Sequence, residues 1–279
     1  MPELPEVETI RRDLVQRIVG LTIYDVAILD PRVIRYSSKA QFRRRCIKKT
    51  IVDISRRGKA IIIHFAPAGY VIVQPMMTGH LIYNQAGKKS VARPEGPSPD
   101  TKIIFTLSNQ SRLNYNDQRL FGRVQFVEDL TTVDFFRHIG PEPLGWEFTL
   151  DWLKSNLKKR KGPIKSLLMN QHFIAGIGNI YASEILFQSR INPQRPAPRL
   201  KQEEITSLHR ATIDILNEAV SLRGTSMRNY RDLSGSPGNF MNRIKVYGRG
   251  QEECYLCKTL ITKIVQAGRS TFYCRKCQK

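Results

Sequence analysis

The sequence predicts an α+β protein in two parts, a β-sandwich or barrel followed by a helical region that ends in a cysteine-rich hairpin. Short runs rich in Val, Ile, Thr and Tyr recur through the first half, separated by turn signals such as Pro67-Ala68-Gly69 and Ala86-Gly87. After Gly140-Pro141-Glu142-Pro143 the apolar spacing changes to threes and fours. In the last 26 residues two Cys-x2-Cys pairs stand sixteen residues apart.

Taken in order, the chain opens with a helix. Val7, Ile10, Leu14 and Ile18 share one helical face, Pro5 suits a first turn where no amide donor is needed, and Gly20 can end the helix. Strands are expected at 21–28, 48–54, 59–65, 70–77, 102–108, 111–116 and 123–128. Gly87–Pro99, poor in apolar residues, is expected to be a mobile loop. Helices follow at roughly 149–158, 163–170, 180–189 and 200–222, and the polar, glycine-punctuated stretch 223–240 reads as a long binding loop or lid. The expected division is 1–135 for the strand-rich domain, 136–148 for a linker, 149–240 for the helical domain with its 223–240 loop, and 241–279 for the hairpin.

A chain of 279 residues with 41% hydrophobic content can bury a core in each part, which excludes general disorder. No apolar run reaches the roughly 18 residues needed to cross a bilayer, and the start lacks a basic patch followed by a greasy stretch. A soluble, cytoplasmic protein without a membrane partner is therefore expected. The net charge of +21 calls for a polyanionic partner, most commonly nucleic acid. That charge is uneven, with 22 basic and 15 acidic residues in 1–150 against 23 and 9 in 151–279.

Cys254, Cys257, Cys274 and Cys277 have the spacing of a closed four-thiolate zinc site, with Leu260–Tyr273 long enough to form a hairpin between the pairs. Disulfides and an iron–sulfur cluster are the alternatives. Cys46, after Arg43-Arg44-Arg45, reads as a bystander in or near a strand. A hairpin this small cannot bury a core, so its role is to hold Arg269, Lys263 and their neighbours against a phosphate backbone. In the helical part, Gly176-Ile177-Gly178-Asn179 is a tight turn into a helix. It serves equally as a plain connection or as a phosphate-binding helix start.

At the other end of the chain, Pro2 becomes a free secondary amine once Met1 is removed. An α-amino group titrates near 7.7–8.0, so a useful fraction is nucleophilic at neutral pH. Glu3 and Glu6 lie within one helical turn of it, either to move protons about an attacked carbon or simply to complement the helix macrodipole.

Four separated segments carry a resemblance: Pro2-Glu3-Leu4-Pro5-Glu6-Val7-Glu8, Asn179-Ile180-Tyr181-Ala182-Ser183-Glu184 after the glycine turn, Val246-Tyr247-Gly248-Arg249, and Thr271-Phe272-Tyr273-Cys274-Arg275-Lys276-Cys277. Together they resemble the bacterial formamidopyrimidine-DNA glycosylase family from the first residue to the last. The resemblance implies a β-sandwich flanked by helices, then a helix-two-turn-helix domain with a zinc-finger hairpin holding one structural zinc ion. The implied activity is base-excision repair of 8-oxoguanine and formamidopyrimidines, by a monomer acting on double-stranded DNA at the nucleoid. It further implies Pro2 as Schiff-base nucleophile, Glu3 as the acid that opens the sugar, Lys59 as a phosphate grip, and Asn179 and Arg269 as clamps on neighbouring phosphates. Met77, Arg119 and Phe121 would fill the hole left by the extruded nucleotide. Glu6, Gln74 and Tyr247 join the DNA-contacting set, and Lys161 is a candidate for the damaged base or a backbone phosphate.

Two departures stand beside the wedge. Gln74-Pro75-Met76-Met77-Thr78-Gly79 replaces the family's His-Leu-Gly-Met-[Ser/Thr]-Gly, and Asp117-Gln118-Arg119-Leu120-Phe121-Gly122 replaces Asp-x-Arg-[Arg/Lys]-Phe-Gly. They predict locally weaker DNA binding with the reaction intact. A preference for oxidised pyrimidines or abasic sites, and a zinc-finger DNA-binding protein without catalysis, are the competing readings.

Overall fold

The computed structural model describes residues 1–87, 98–227 and 230–279. Its contacts divide the chain into two compact units, Met1–Arg137 with Arg223–Asn239, and His138–Leu222 with Phe240–Lys279.

In the first unit, helix α1 (Leu4–Ile18) is followed by β1 (Ile23–Ile28), α2 (Lys39–Cys46), β2 (Thr50–Arg57), β3 (Ala60–Ala66), β4 (Tyr70–Gln74), β5 (His80–Asn84), β6 (Thr101–Leu107), β7 (Arg112–Asn116), β8 (Arg123–Val127) and the short helix α3 (Asp134–His138). The strands form two four-stranded antiparallel sheets, ordered β1-β6-β7-β5 and β2-β3-β4-β8. Alternation decides the faces. Ile103, Phe105, Leu113 and Tyr115 of one sheet meet Ile61, Ile63, Val71 and Val73 of the other in a single buried core, with Val7, Ile10, Leu14 and Ile18 of α1. On the outer face of the second sheet, Ala60, Ile62 and Ile72 are covered by Val133 and by Phe135 and Phe136 of α3.

Two elements differ from the sequence reading. Cys46 does not lie in a strand but ends α2, four residues before β2, where Phe42 and Cys46, one turn apart, are both buried. Ser38 and Gln41 form a capping box that starts that helix inside a strongly basic stretch. Strand β5 falls between two turn signals and is not among the expected strands. The expected loop at Gly87–Pro99 lies largely outside the described residues.

The second unit holds α4 (Leu150–Leu157), α5 (Ile164–Leu168), α6 (Asn179–Gln188), α7 (Gln202–Ser221) and the hairpin of β9 (Thr262–Gln266) and β10 (Arg269–Tyr273). Helices α4 to α7 close on a core that includes Leu153, Leu168, Tyr181, Ile185, Leu208 and Leu216. The hairpin packs in only a small cluster, Val246, Cys254, Ile261, Phe272 and Cys274 with Phe187 of α6. Among the described residues no helix is long and apolar enough to cross a membrane.

Candidate functional site

At the head of α1, Glu3 is the N-cap in extended backbone and its amide donates to Glu6 Oε2 at 2.7 Å. Both carboxylates are buried, at 3% and 2% exposure. Glu6 Oε1 accepts from the Thr225 amide at 2.7 Å, and the Tyr230 hydroxyl donates to the Glu6 carbonyl at 3.4 Å. A side chain at Gly224 would put its Cβ 2.7 Å from Glu6 Oε1, and Gly224 has φ +79°, so glycine is required twice over. Glu6 was expected among DNA-contacting residues. Here both its oxygens accept backbone amides, which ties the chain start to the 223–240 segment. Pro2 is buried beside it, its nitrogen acylated by an exposed Met1.

The 223–240 segment, over its described residues, has neither helix nor long strand, yet it is packed. Arg223 bridges Asp13 and Asp232, and the Asp232 carboxylate accepts the amides of Ser234 and Ser236. Tyr230 and Leu233 join the first core.

One turn further along α1, Glu8 collects Arg11, Arg12 and Arg56 at 2.8, 2.9 and 3.1 Å. Arg56 also donates to the Gly58 carbonyl at 2.9 Å. This fixes the Gly58-Lys59 turn between β2 and β3 and leaves Lys59 half-buried at its tip. Burial alone would raise the Glu8 pKa; the hydrogen bonds from Arg11 and Arg12 and the charges of Arg11 and Arg56 outweigh it and bring it to about 2. A depressed carboxylate stabilises the fold above its unfolded pKa, and that stability is lost as pH falls toward the folded value. Glu8→Gln is therefore expected to remove about 3 kcal/mol at neutral pH and to flatten the loss of stability between about pH 5 and 2, measured by denaturant unfolding.

The three expected wedge residues converge. The Arg119 guanidinium lies 4.6 Å from the Phe121 ring centre, and its Nη1 is 3.6 Å from Met77 Sδ. Met77 and Phe121 are 43% and 47% exposed, unusual for large apolar side chains and open to a partner. Gln74 ends β4, half-buried and in register with Arg123. The departures from the family pattern have structural consequences here. Met76 takes φ +55° where the family carries glycine, and Leu120 takes φ +58°. Leu120 is half-buried against the first core, so it replaces a family charge with packing. A left-handed non-glycine residue costs roughly 1–2 kcal/mol, partly offset by glycine's larger unfolded entropy. Met76→Gly is expected to raise stability by about 0.5–1 kcal/mol, read from the denaturation midpoint; a lower midpoint would show that packing of the Met76 side chain outweighs its strain.

In the second unit, Asn179 opens α6 and its Nδ2 donates to the Ser270 carbonyl at 3.0 Å, next to the exposed Arg269 at the start of β10. Sequence reasoning missed Lys165. It is 1% exposed, and its Nζ donates to Thr271 Oγ1 at 2.8 Å and to the Ser270 carbonyl at 3.3 Å. A cavity of about 140 Å³ lies between α5 and the hairpin, lined by Lys165, Ser166, Asn170, Gln266 and Arg269 among others. The available signal was a lysine on an otherwise apolar face, Ile164-Lys165-Ser166-Leu167-Leu168. Lys161 is not brought to this group; it is exposed beyond α4 and makes no hydrogen bond or ion pair among the described residues. Tyr247 is half-buried, edge-on to Phe272 at 5.4 Å, with its amide on Glu184. Glu184 also accepts from Lys245 and Val246; its pKa is raised by burial against the pull of these amides. Tyr247 thus packs its ring against the hairpin.

The four cysteine sulfurs lie within 4.8 Å of one another, with Cys254 to Cys277 at 3.9 Å and Cys257 to Cys274 at 3.4 Å. A tetrahedron with metal–sulfur bonds of about 2.3 Å has edges of about 3.8 Å, so the set fits zinc.

Family models match in the same order as this geometry: the formamidopyrimidine-DNA glycosylase N-terminal domain over residues 1–124, its H2TH domain over 139–231, and a zinc finger found in FPG and IleRS over 251–279. The chain belongs to the formamidopyrimidine-DNA glycosylase family. Its cysteines accordingly hold one structural zinc ion. Relatives named formamidopyrimidine-DNA glycosylase include those of Pelotomaculum thermopropionicum, 41% identical over all of this chain and 99% of the relative, and Rickettsia africae, 38% identical over 100% and 99%. Among solved structures, the MutM (Fpg) protein of Thermus thermophilus matches at a TM-score of 0.87 and 35% identity, covering 99% of this chain and 98% of that one. The Lactococcus lactis Fpg in complex with DNA containing an abasic site matches at 0.89 and 34%, covering 99% of each. The two-sheet sandwich, helical domain and zinc hairpin expected for this family are the ones described above.

Proposed function

We propose that this chain is a bifunctional DNA glycosylase and abasic-site lyase that excises 8-oxoguanine and formamidopyrimidines from double-stranded DNA. One observation carries the reading beyond family membership. The same unit that holds Pro2 and the buried Glu3 at the head of α1 also presents the exposed Met77, Arg119 and Phe121 cluster. A nucleophile for a sugar carbon and a wedge for an unstacked duplex serve a single purpose, chemistry on a nucleotide taken out of the helix.

With Met1 removed, the Pro2 lone pair attacks C1′ and the glycosidic bond breaks, its electron pair leaving with the base, which is then protonated. The sugar ring opens as O4′ takes a proton from Glu3, leaving a C1′ iminium on the proline nitrogen. An iminium formed from a secondary amine has no N–H proton to lose, so it stays cationic until a carbon-bound proton leaves. Loss of the C2′ proton expels the 3′ phosphate, loss of the C4′ proton expels the 5′ phosphate, and water then releases the enzyme. Lys59 holds a phosphate beside the lesion. Arg269 and Asn179 clamp backbone phosphates from the second unit, with zinc fixing the hairpin and taking no part in bond making.

The enzyme works as a monomer on chromosomal DNA in the cytoplasm; nucleophile, acid and wedge all come from one chain. Incubating Met1-free protein with 8-oxoguanine duplex and borohydride tests the reading. A covalent adduct is expected with borohydride present, and strand cleavage on both sides of the lesion in a parallel incubation without it. Tight binding with neither product would instead indicate a zinc-finger DNA-binding protein.

A further inference from the structure

We propose that Thr78 and Asp117 form a clasp that joins the two wedge-bearing loops into one unit, making both positioning residues for nucleotide extrusion. The Met77 loop and the Arg119–Phe121 loop are 42 residues apart in sequence at their nearest wedge contact, Arg119 to Met77. Nothing in local sequence holds them in register. Thr78, 7% exposed, donates its hydroxyl to Asp117 Oδ1 and accepts from the Arg119 amide at 3.0 Å. Asp117, fully buried, accepts also from the Arg119 amide at 3.3 Å and, through Oδ2, from the Gly122 amide at 2.7 Å.

The residues directly after Met77, directly at Arg119 and directly after Phe121 are therefore tied to one carboxylate. A Cβ on Gly122 would lie 1.7 Å from the Tyr115 hydroxyl and 2.8 Å from Asp117 Oδ2, so the loop seats this low only with glycine there. Buried hydrogen bonds to an ionised acceptor are strong and directional, and leaving one unmade is expensive. The clasp fixes where three side chains enter the duplex before any of them touches it.

The inference rests on the reading of Met77, Arg119 and Phe121 as a wedge, and its test separates the two. Single-turnover excision is measured on 8-oxoguanine duplex, and borohydride trapping on a single-stranded oligonucleotide with a preformed abasic site, which needs no wedge. Thr78→Val removes the hydroxyl at constant volume. It is expected to slow duplex excision about tenfold while leaving single-strand trapping unchanged, with Thr78→Ser restoring the rate. In an Arg119→Ala background Thr78→Val is expected to cost less than about twofold more.

Equal losses on both substrates, tracking a lowered melting temperature, would overturn the clasp in favour of a purely structural role. So would a full duplex rate in Thr78→Val when Arg119→Ala is slow. A full duplex rate in Arg119→Ala itself would remove the wedge reading, and the clasp with it. Should Thr78→Val fold poorly, Asp117→Asn gives the same readout, since its single amide oxygen cannot accept at both the Thr78 leg and the Gly122 leg.

Discussion

Pro2→Gly lowers the yield of borohydride-trapped adduct on abasic duplex by roughly a hundredfold or more, the scale on which one positioned catalytic group acts. Glycine still permits removal of Met1 and still offers an amine, so the loss isolates what proline adds. Its ring fixes φ and so the direction of the lone pair, and its nitrogen makes an iminium that has no N–H proton to lose. A primary amine gives a neutral imine that is a weaker electron sink. The elimination steps should accordingly suffer along with the first attack. Pro2 precedes α1 and supplies no backbone donor, so the unfolding free energy is expected to fall only by what burial of its small ring contributes, about 1–2 kcal/mol. Affinity for a non-cleavable abasic analogue should be unchanged. A comparable fall in affinity would mean that Pro2 holds the site together rather than reacting in it.

Removing zinc is the second large effect. The cluster at the hairpin has six buried residues, one of them Phe187 of α6 and two of them cysteine ligands, too few to offset the ordering of β9, β10 and the two cysteine turns. Zinc binding to such sites supplies roughly 10–16 kcal/mol at neutral pH, so without the ion the hairpin should unfold. Arg269 then loses its placement, and the carbonyl of Ser270 no longer receives Lys165 and Asn179. Chelation, or Cys257→Ser, is expected to weaken duplex binding about a hundredfold and to lower the salt dependence by about one phosphate contact. The first unit's strand signal in circular dichroism should persist, because its core lies in residues that share no contact cluster with the hairpin. Retained affinity with the zinc released would dissociate the hairpin from DNA binding.

How far the sequence reveals this molecule depends on where each interaction is encoded. Strands of the sandwich are legible because burial on one face enforces a period of two, and α1 because Val7, Ile10, Leu14 and Ile18 keep a period near 3.6. Helix α2 is hidden by Arg43-Arg44-Arg45; only two of its residues are buried, and its start depends on a cap at Ser38. The zinc ligands are legible from spacing alone, since two tight turns dictate it. Lys165 and Asp117 are not, because their partners at Thr271 and Thr78 lie 106 and 39 residues away. Glu6 shows the same limit. Nothing in the opening motif reveals that its carboxylate accepts the Thr225 amide, 219 residues on. The wedge follows from family pattern, and its geometry adds what pattern could not: Met76 and Leu120 each hold a left-handed backbone beside it.

The proposed chemistry turns on a nitrogen that is free only after Met1 is removed. Digesting the borohydride-trapped adduct and sequencing the DNA-linked peptide by mass spectrometry tests it most directly. The sugar is predicted to be carried by the peptide beginning at Pro2, on its α-nitrogen. A sugar found on Lys59 or on any other lysine, with the Pro2 peptide unmodified, would contradict it.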